Sequence, residues 1–191
     1  MKFLWTAFTA CAALWFGTAH AEGDSRGFIH RWRVLEPIAV QGRLTESAVQ
    51  EALRAAPMPD ANAPGWHQVD TPDYNLNLYH FAAGLSKPTS NVLFWITTVV
   101  EAPQEMKDVR LAIGSNAASR WWLNDEPVIA LNDDRQTVID DGVSRRLTLH
   151  AGRNVIRAAI INGGGATDFC ARFLDENDRP ITQLSVSLPP S

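Results

Sequence analysis

Five tryptophans between positions 32 and 122 are the residues best equipped for recognition chemistry: Trp32, Trp66, Trp95 and the adjacent pair Trp121-Trp122. An indole offers a broad apolar plate and one N–H donor, on which a sugar ring or a partner's side chain can lie. Neighbours on a strand point to opposite faces, so Trp121 and Trp122 cannot both enter one core. The second must lie on the outer surface or under another segment. Catalytic patterns are scarce by comparison. His30, His67, His80 and His150 are scattered, without the close pairing of a zinc helix. No serine stands in a G-x-S-x-G turn, and Ser115, in Gly114-Ser115-Asn116-Ala117, lacks the strand-to-helix setting of a nucleophile. The carboxylate pairs Asp133-Asp134 and Asp140-Asp141 are adjacent, which suits turns better than acid–base work across a cleft. Gly163-Gly164-Gly165 precedes a strand-like run, whereas a phosphate loop opens a helix. Loop aspartates supply the oxygen ligands that a structural calcium ion takes, but nothing has calcium-loop spacing. No cofactor or metal site is therefore expected.

The elements that must position these residues are mainly strands. Val109, Leu111 and Ile113 alternate with Arg110 and Ala112; Leu147 and Leu149 alternate with Arg146 and Thr148; Leu184, Val186 and Leu188 alternate with Ser185 and Ser187. Period two marks strands with one buried face. Val92 to Val100 and Val155 to Ile161 are apolar on both faces, as in central strands whose second face is covered by protein or ligand. Turn residues separate the runs at short intervals, at Asn124-Asp125-Glu126-Pro127, Asn132-Asp133-Asp134, Asp140-Asp141-Gly142, Ala151-Gly152-Arg153-Asn154, Asn162 to Gly165 and Asp175 to Asp178. That spacing predicts a sandwich or barrel. One helix is expected over Thr45 to Ala56, where Val49, Ala52, Leu53 and Ala56 recur at helical spacing and Pro57 ends the run. A proline-rich loop from Pro57 to Pro64 follows.

The first residues carry a different signal. Lys2, an apolar run from Phe3 through Phe16 and the small residues Ala19-His20-Ala21 describe a secretory signal peptide over residues 1–21. The run is too short for a membrane span, which needs about 20 apolar residues. Cys11 lies too early within it to serve as a lipidation cysteine. No other apolar run comes near that length, so no transmembrane segment is expected after signal removal. An exported, periplasmic or secreted protein and a single domain over residues 22–191 are the corresponding expectations. Only Cys170 then remains, and alternation in Asp168-Phe169-Cys170-Ala171-Arg172-Phe173 places it opposite Phe169 and Phe173, as a buried, inert thiol. The 191 residues carry 17 basic and 21 acidic side chains, a net charge of −4, or −5 without Lys2. A mildly acidic, evenly mixed surface argues against nucleic acid or an anionic membrane as partner.

Several stretches resemble secreted galactose-binding-domain-like modules, a jelly-roll, carbohydrate-binding-module-like family. Trp32-Arg33-Val34-Leu35-Glu36-Pro37-Ile38 is similar to their W-x-V-x-G-P-F opening. Val109 to Val128 resembles a central strand, a G-S-D-D turn and a strand ending W-L-N-G. Leu149 to Ile156 looks like their L-x-x-G-x-N-x-h element. Glu36, Asn116-Ala117 and Asp125 depart from the pattern, and the missing paired aspartates weaken a metal or polar-ligand role for the Asn116 loop. The resemblance implies an all-β fold, a jelly-roll β-sandwich of about eight to ten antiparallel strands with one short helix. It also implies a non-catalytic binding module, most simply for carbohydrate. Trp66, Tyr74 and Trp121 are the expected stacking residues, and Asn116 and Asn124 the expected polar contacts. Two alternatives stand beside it: an accessory protein-interaction subunit of a periplasmic or cell-surface complex, motivated by the doubly apolar Val92 to Val100 strand, and an unrecognised hydrolase.

Overall fold

The period-two runs become strands in the computed structural model, which describes residues 26–190; the expected signal peptide, with Cys11, lies outside them. In chain order the elements are β1 (Arg31–Leu35), β2 (Ile38–Ala39), α1 (Glu46–Ala55), β3 (Trp66–Asp70), β4 (Leu76–Asn77), α2 (Leu78–Gly84), β5 (Val92–Ala102) and β6 (Met106–Ser115). There follow β7 (Ala118–Leu123), β8 (Glu126–Leu131), β9 (Gly142–Val143), β10 (Leu147–Leu149), β11 (Gly152–Asn162), β12 (Asp168–Leu174) and β13 (Ser185–Ser187). The larger sheet runs β3-β1-β5-β11-β7-β8, with β2 and β13 also on β5, and the smaller runs β10-β6-β12-β4, with β9 on β6. Every pairing is antiparallel. This is the expected all-β sandwich of jelly-roll type. Among the described residues ten strands have three residues or more, and three are two-residue pieces that leave no periodic trace. No helix among those residues is long and apolar enough to cross a membrane.

Alternation decides what fills the sandwich. Val109, Leu111 and Ile113 of β6 and Phe169, Ala171 and Phe173 of β12 face the larger sheet and join Trp32, Phe94, Ile96 and Trp121 in one core. At its centre three rings meet edge-on: Trp32 lies 6.2 Å from Trp121 and 5.1 Å from Phe169, with Trp121 5.7 Å from Phe169. Such tilted contacts suit the ring quadrupoles.

The doubly apolar strands are explained by a second cluster on the outer face of the larger sheet. Leu93 and Trp95 of β5, Ala118 of β7 and Ala159 and Ile161 of β11 pack there against Val49 and Ala52 of α1, with Leu53, Met58, Trp66 and Trp122 around them. The cover is the chain's own helix and proline-rich loop. Helix α1 sits within its expected bounds, and the Ala56 N–H closes onto Ala52 O before Pro57. Helix α2 is an addition, seven residues capped by Asn77, whose Oδ1 accepts from the His80 N–H at 2.8 Å.

The Asx residues make the turns. Asn124 (φ 49°) and Asp125 (φ 71°) form a two-residue hairpin loop between β7 and β8, where both central residues need positive φ. Asp133, Asp140 and Asp178 also stand at positive φ. Asp140 pairs with Arg172 and Asp141 with Arg135, so the adjacent carboxylates there hold the chain in place. The segment containing them crosses the outer face of the smaller sheet, so close that a Cβ on Gly114 would run into Val138 O. Cys170 lies beneath it at 2 % exposure, on the expected face, and burial pushes its thiol up to about 11.

Strand β5 also collects β1 and β13, the first and last strands among the described residues. Its edge opposite β11 is tiled by β1, β2 and β13. The Thr98 hydroxyl lies 2.7 Å from Arg31 O and 3.2 Å from Ser187 O.

Candidate functional site

The alternation that sends Trp121 inward turns Trp122 outward. A register slip between β7 and β8, with Trp121 opposite Ile129 but Trp122 opposite Pro127, inserts Val128 as a bulge at this point. Bulges increase local twist and re-aim side chains. The Trp122 indole is half-buried, resting on Trp95 with ring centres 5.8 Å apart. It lines a cleft of about 480 Å³ between the β7–β8 hairpin, which supplies Pro127 to Ala130, and the face of α1 carrying Glu46, Gln50 and Leu53.

Arg120 organises the base of this cleft. Its side chain is only 6 % exposed. Nη1 donates to Leu131 O at 2.6 Å and Ser119 O at 2.9 Å, and Nη2 donates to Glu46 Oε2 and Asn132 Oδ1, each at 2.7 Å. Nε is buried without a partner. Glu46 Oε2 also accepts from Asn132 Nδ2 at 3.0 Å, and Oε1 from Gln50 Nε2 at 3.2 Å, one helical turn on. The bonds from Asn132 and Gln50 and the Arg120 charge hold the Glu46 carboxyl below the usual carboxylate range. It is therefore ionised at neutral pH, and its side chain stays 58 % exposed. A carboxylate has about four lone-pair sites, so acceptor capacity remains at the cleft mouth beside the indole.

A second cleft, of about 620 Å³, adjoins this one and is lined by Thr97, Asn124, Asp125, Val155 and Arg157 with Met58 to Ala61 and Pro189. Arg157 pairs with Asp125 across it. Two further clefts, of about 380 Å³ beside α1 and β2 and about 470 Å³ beside β10, are lined by no Trp, Tyr or Phe, the second having only the His150 imidazole. Among the described residues no three His, Cys, Asp or Glu side chains are grouped to hold a metal ion.

The five residues expected from sequence do not gather on one surface. Trp121 is corrected outright: at 0 % exposure, with Nε1 donating to Ser119 Oγ at 3.0 Å, it has no face to offer a ligand. Trp66 is half-buried on edge strand β3, its Nε1 bonded to Asp60 O at 3.0 Å and the Arg33 guanidinium 5.9 Å from its ring centre. Tyr74 packs on Phe28 at 5.7 Å in the loop between β3 and β4. Asn116 is a strut, donating to Ala166 O at 2.7 Å and accepting from the Asp168 N–H at 3.0 Å. Asn124 donates to Asn154 Oδ1 at 3.0 Å and accepts from the Val155 N–H at 2.8 Å, which fixes the hairpin while leaving it in the wall of the second cleft. The residues missed are Trp122, Glu46, Gln50 and Arg120. The first was half of the visible Trp-Trp alternation, and Glu46 and Gln50 stand four apart on the expected helix; the outward turn of Arg120 beneath that helix had no sequence signal.

No protein-family model matches the chain, and no curated protein does. Among solved structures, an anti-sigma factor domain-containing protein matches with a TM-score of 0.52 and 11 % identity over 87 % of this chain and 50 % of its own length. The chain thus spans about half of that protein. The PA14 domain of the MpAFP antifreeze protein matches at 0.49 and 11 % over 90 % and 96 % of the two chains. A PA14 sugar-binding domain from an RTX adhesin matches at 0.43 and 13 % over 85 % and 78 %. At such identities the likeness is one of fold.

Proposed function

We propose that this chain is a non-catalytic carbohydrate-binding module whose sugar site is the cleft between α1 and the β7–β8 hairpin. The observation that carries the reading is the half-buried Trp122 indole beside an ionised, solvent-facing Glu46. A pyranose presents an apolar C–H face and a rim of hydroxyls. Trp122 takes the face; Glu46 Oε1 and the Gln50 side-chain carbonyl accept from the rim. Arg120 contributes by fixing the carboxylate. With one ring and few polar contacts, the affinity expected is modest, with Kd on the order of 10 μM to 1 mM. The sequence resemblance to galactose-binding-domain-like modules, and the export expected from the signal over residues 1–21, belong to the same reading.

Calorimetric titration of the full chain against neutral mono- and oligosaccharides tests it. Heat of binding that disappears in Trp122→Ala and persists in Trp66→Ala is the expected result. Binding of no glycan, or binding unchanged by Trp122→Ala, would overturn it. The protein-interaction alternative now draws on another surface, because the Val92 to Val100 strand is covered by α1. Val138, Ile139 and Val143, at 53 %, 41 % and 39 % exposure, are the large apolar side chains left open near the strap over the smaller sheet. Size-exclusion of the native extract separates the readings: co-elution with a partner, lost on Val138→Ser with Ile139→Ser, favours the alternative.

A further inference from the structure

Resting on the carbohydrate reading, we infer that the ligand is a linear oligosaccharide laid across the sheet, its first ring on Trp122 and the next against Arg157 and Asp125. Two observations make the adjoining clefts one track. Their floor is continuous: the antiparallel register places Pro127 of β8, Trp122 of β7, Arg157 of β11 and Thr97 of β5 in a single row across four neighbouring strands. Residues paired in this way project to the same face, and adjacent strands are about 4.8 Å apart. Trp122 and Arg157 are therefore direct neighbours on the outer surface.

Their wall is continuous too. Glu46, Gln50 and Leu53 of α1 border the first cleft, and Met58 to Ala61, next in the chain, border the second. Helix and proline-rich loop thus form one rail beside the row. Each cleft is in the size range of a small-ligand site, and a single ring on Trp122 leaves the second empty.

The chemistry changes along the track in the way a chain requires. One end is an aromatic plate; the other has no ring, but offers the guanidinium of Arg157 and the carboxylates of Asp125 and Asp60, donors and acceptors for the hydroxyl edge of a following residue. The Arg157 side chain is 34 % exposed and that of Asp125 78 %, so both reach solvent where such a residue would lie.

The test is the dependence of affinity on chain length, read by calorimetry on the full chain with gluco- and galacto-oligosaccharides of one to six residues. In the series that binds, Kd should fall about tenfold between one residue and three, the worth of one or two added hydrogen bonds, and level off beyond. Arg157→Gln should return the trisaccharide to within about twofold of the monosaccharide while leaving the monosaccharide unchanged, and Asp125→Asn, which suits the positive φ, should do so in part. Trp122→Ala should remove binding at every length. A length-independent Kd, or Arg157→Gln acting equally on every length, would overturn the track even with Trp122 essential. Loss of nothing in Trp122→Ala would overturn the carbohydrate reading beneath it.

Discussion

Replacing Asn154 by alanine should destabilise the domain more than its single polar side chain suggests. Asn154 is fully buried at the start of β11. Its Oδ1 accepts from the His150 N–H and from Asn124 Nδ2, each at 3.0 Å, and its Nδ2 donates to His150 O at 2.8 Å and Gly152 O at 3.0 Å. One amide thus staples the turn before β11 to the β7–β8 hairpin. At about 1 kcal/mol of net stability per hydrogen bond, four lost bonds amount to about 4 kcal/mol. His150 and Asn124 are exposed, so water restores part of that, and about 2–3 kcal/mol is the loss expected. For a domain of this size that lowers Tm by about 5–10 °C. Urea denaturation of Asn154→Ala should show a lower midpoint with an unchanged slope. Asn154→Asp should not rescue it, because the donors are what the two carbonyls lose. Asn124→Gly, which keeps positive φ and breaks one of the four bonds, should cost less than Asn154→Ala. A loss below about 0.5 kcal/mol for Asn154→Ala would refute the stapling argument.

Three further outcomes follow from burial and close approach. The folded state holds the Cys170 proton to about pH 11, against an ordinary value of 9.0; the stability that neutral thiol confers is complete below pH 9 and drains away between 9 and 11. Urea melts at pH 8 and 10 should differ by about 1.4 kcal/mol more in the parent protein than in Cys170→Ala. Trp121→Ala should cost about 3–5 kcal/mol, as truncation of a core indole does, whereas Trp122→Ala, at the half-buried cleft face, should cost clearly less in the same urea assay. Gly114→Ala, whose new methyl meets Val138 O and stands 3.0 Å from Cys170 Sγ, should lower stability by about 1–3 kcal/mol and make Cys170 reactive toward a thiol reagent under native conditions.

What could be read in advance followed from local rules. Alternation along β6, β10, β12 and β13, the helical spacing of Val49 and Ala52, and the Asx turns at Asn124-Asp125 and Asp140 are each settled within a few residues. The orientation of Cys170 followed from the same alternation. The site resisted because its determinants are remote. Which indole of the Trp121-Trp122 pair enters the core depends on how β7 pairs with β11, some 35 residues on, and on a bulge in β8 that no residue type announces. Asn116 and Asn124 resemble free amides in the sequence, yet their bonding groups are taken by Asp168 and Val155 far along the chain. Helix α2 is too short to show a period, and its cap at Asn77 is recognisable only beside the strand that precedes it.

The meeting of β1 and β13 on one edge of β5, where a single Thr98 hydroxyl reaches both Arg31 O and Ser187 O, has a consequence for engineering. The first and last strands of the fold abut on one neighbour, so the edge of β5 is complete only when both have docked. A truncation that removes β13 would bare the backbone edge of Val99 to Glu101. An open sheet edge is a template for pairing with another chain, so the shortened domain should self-associate.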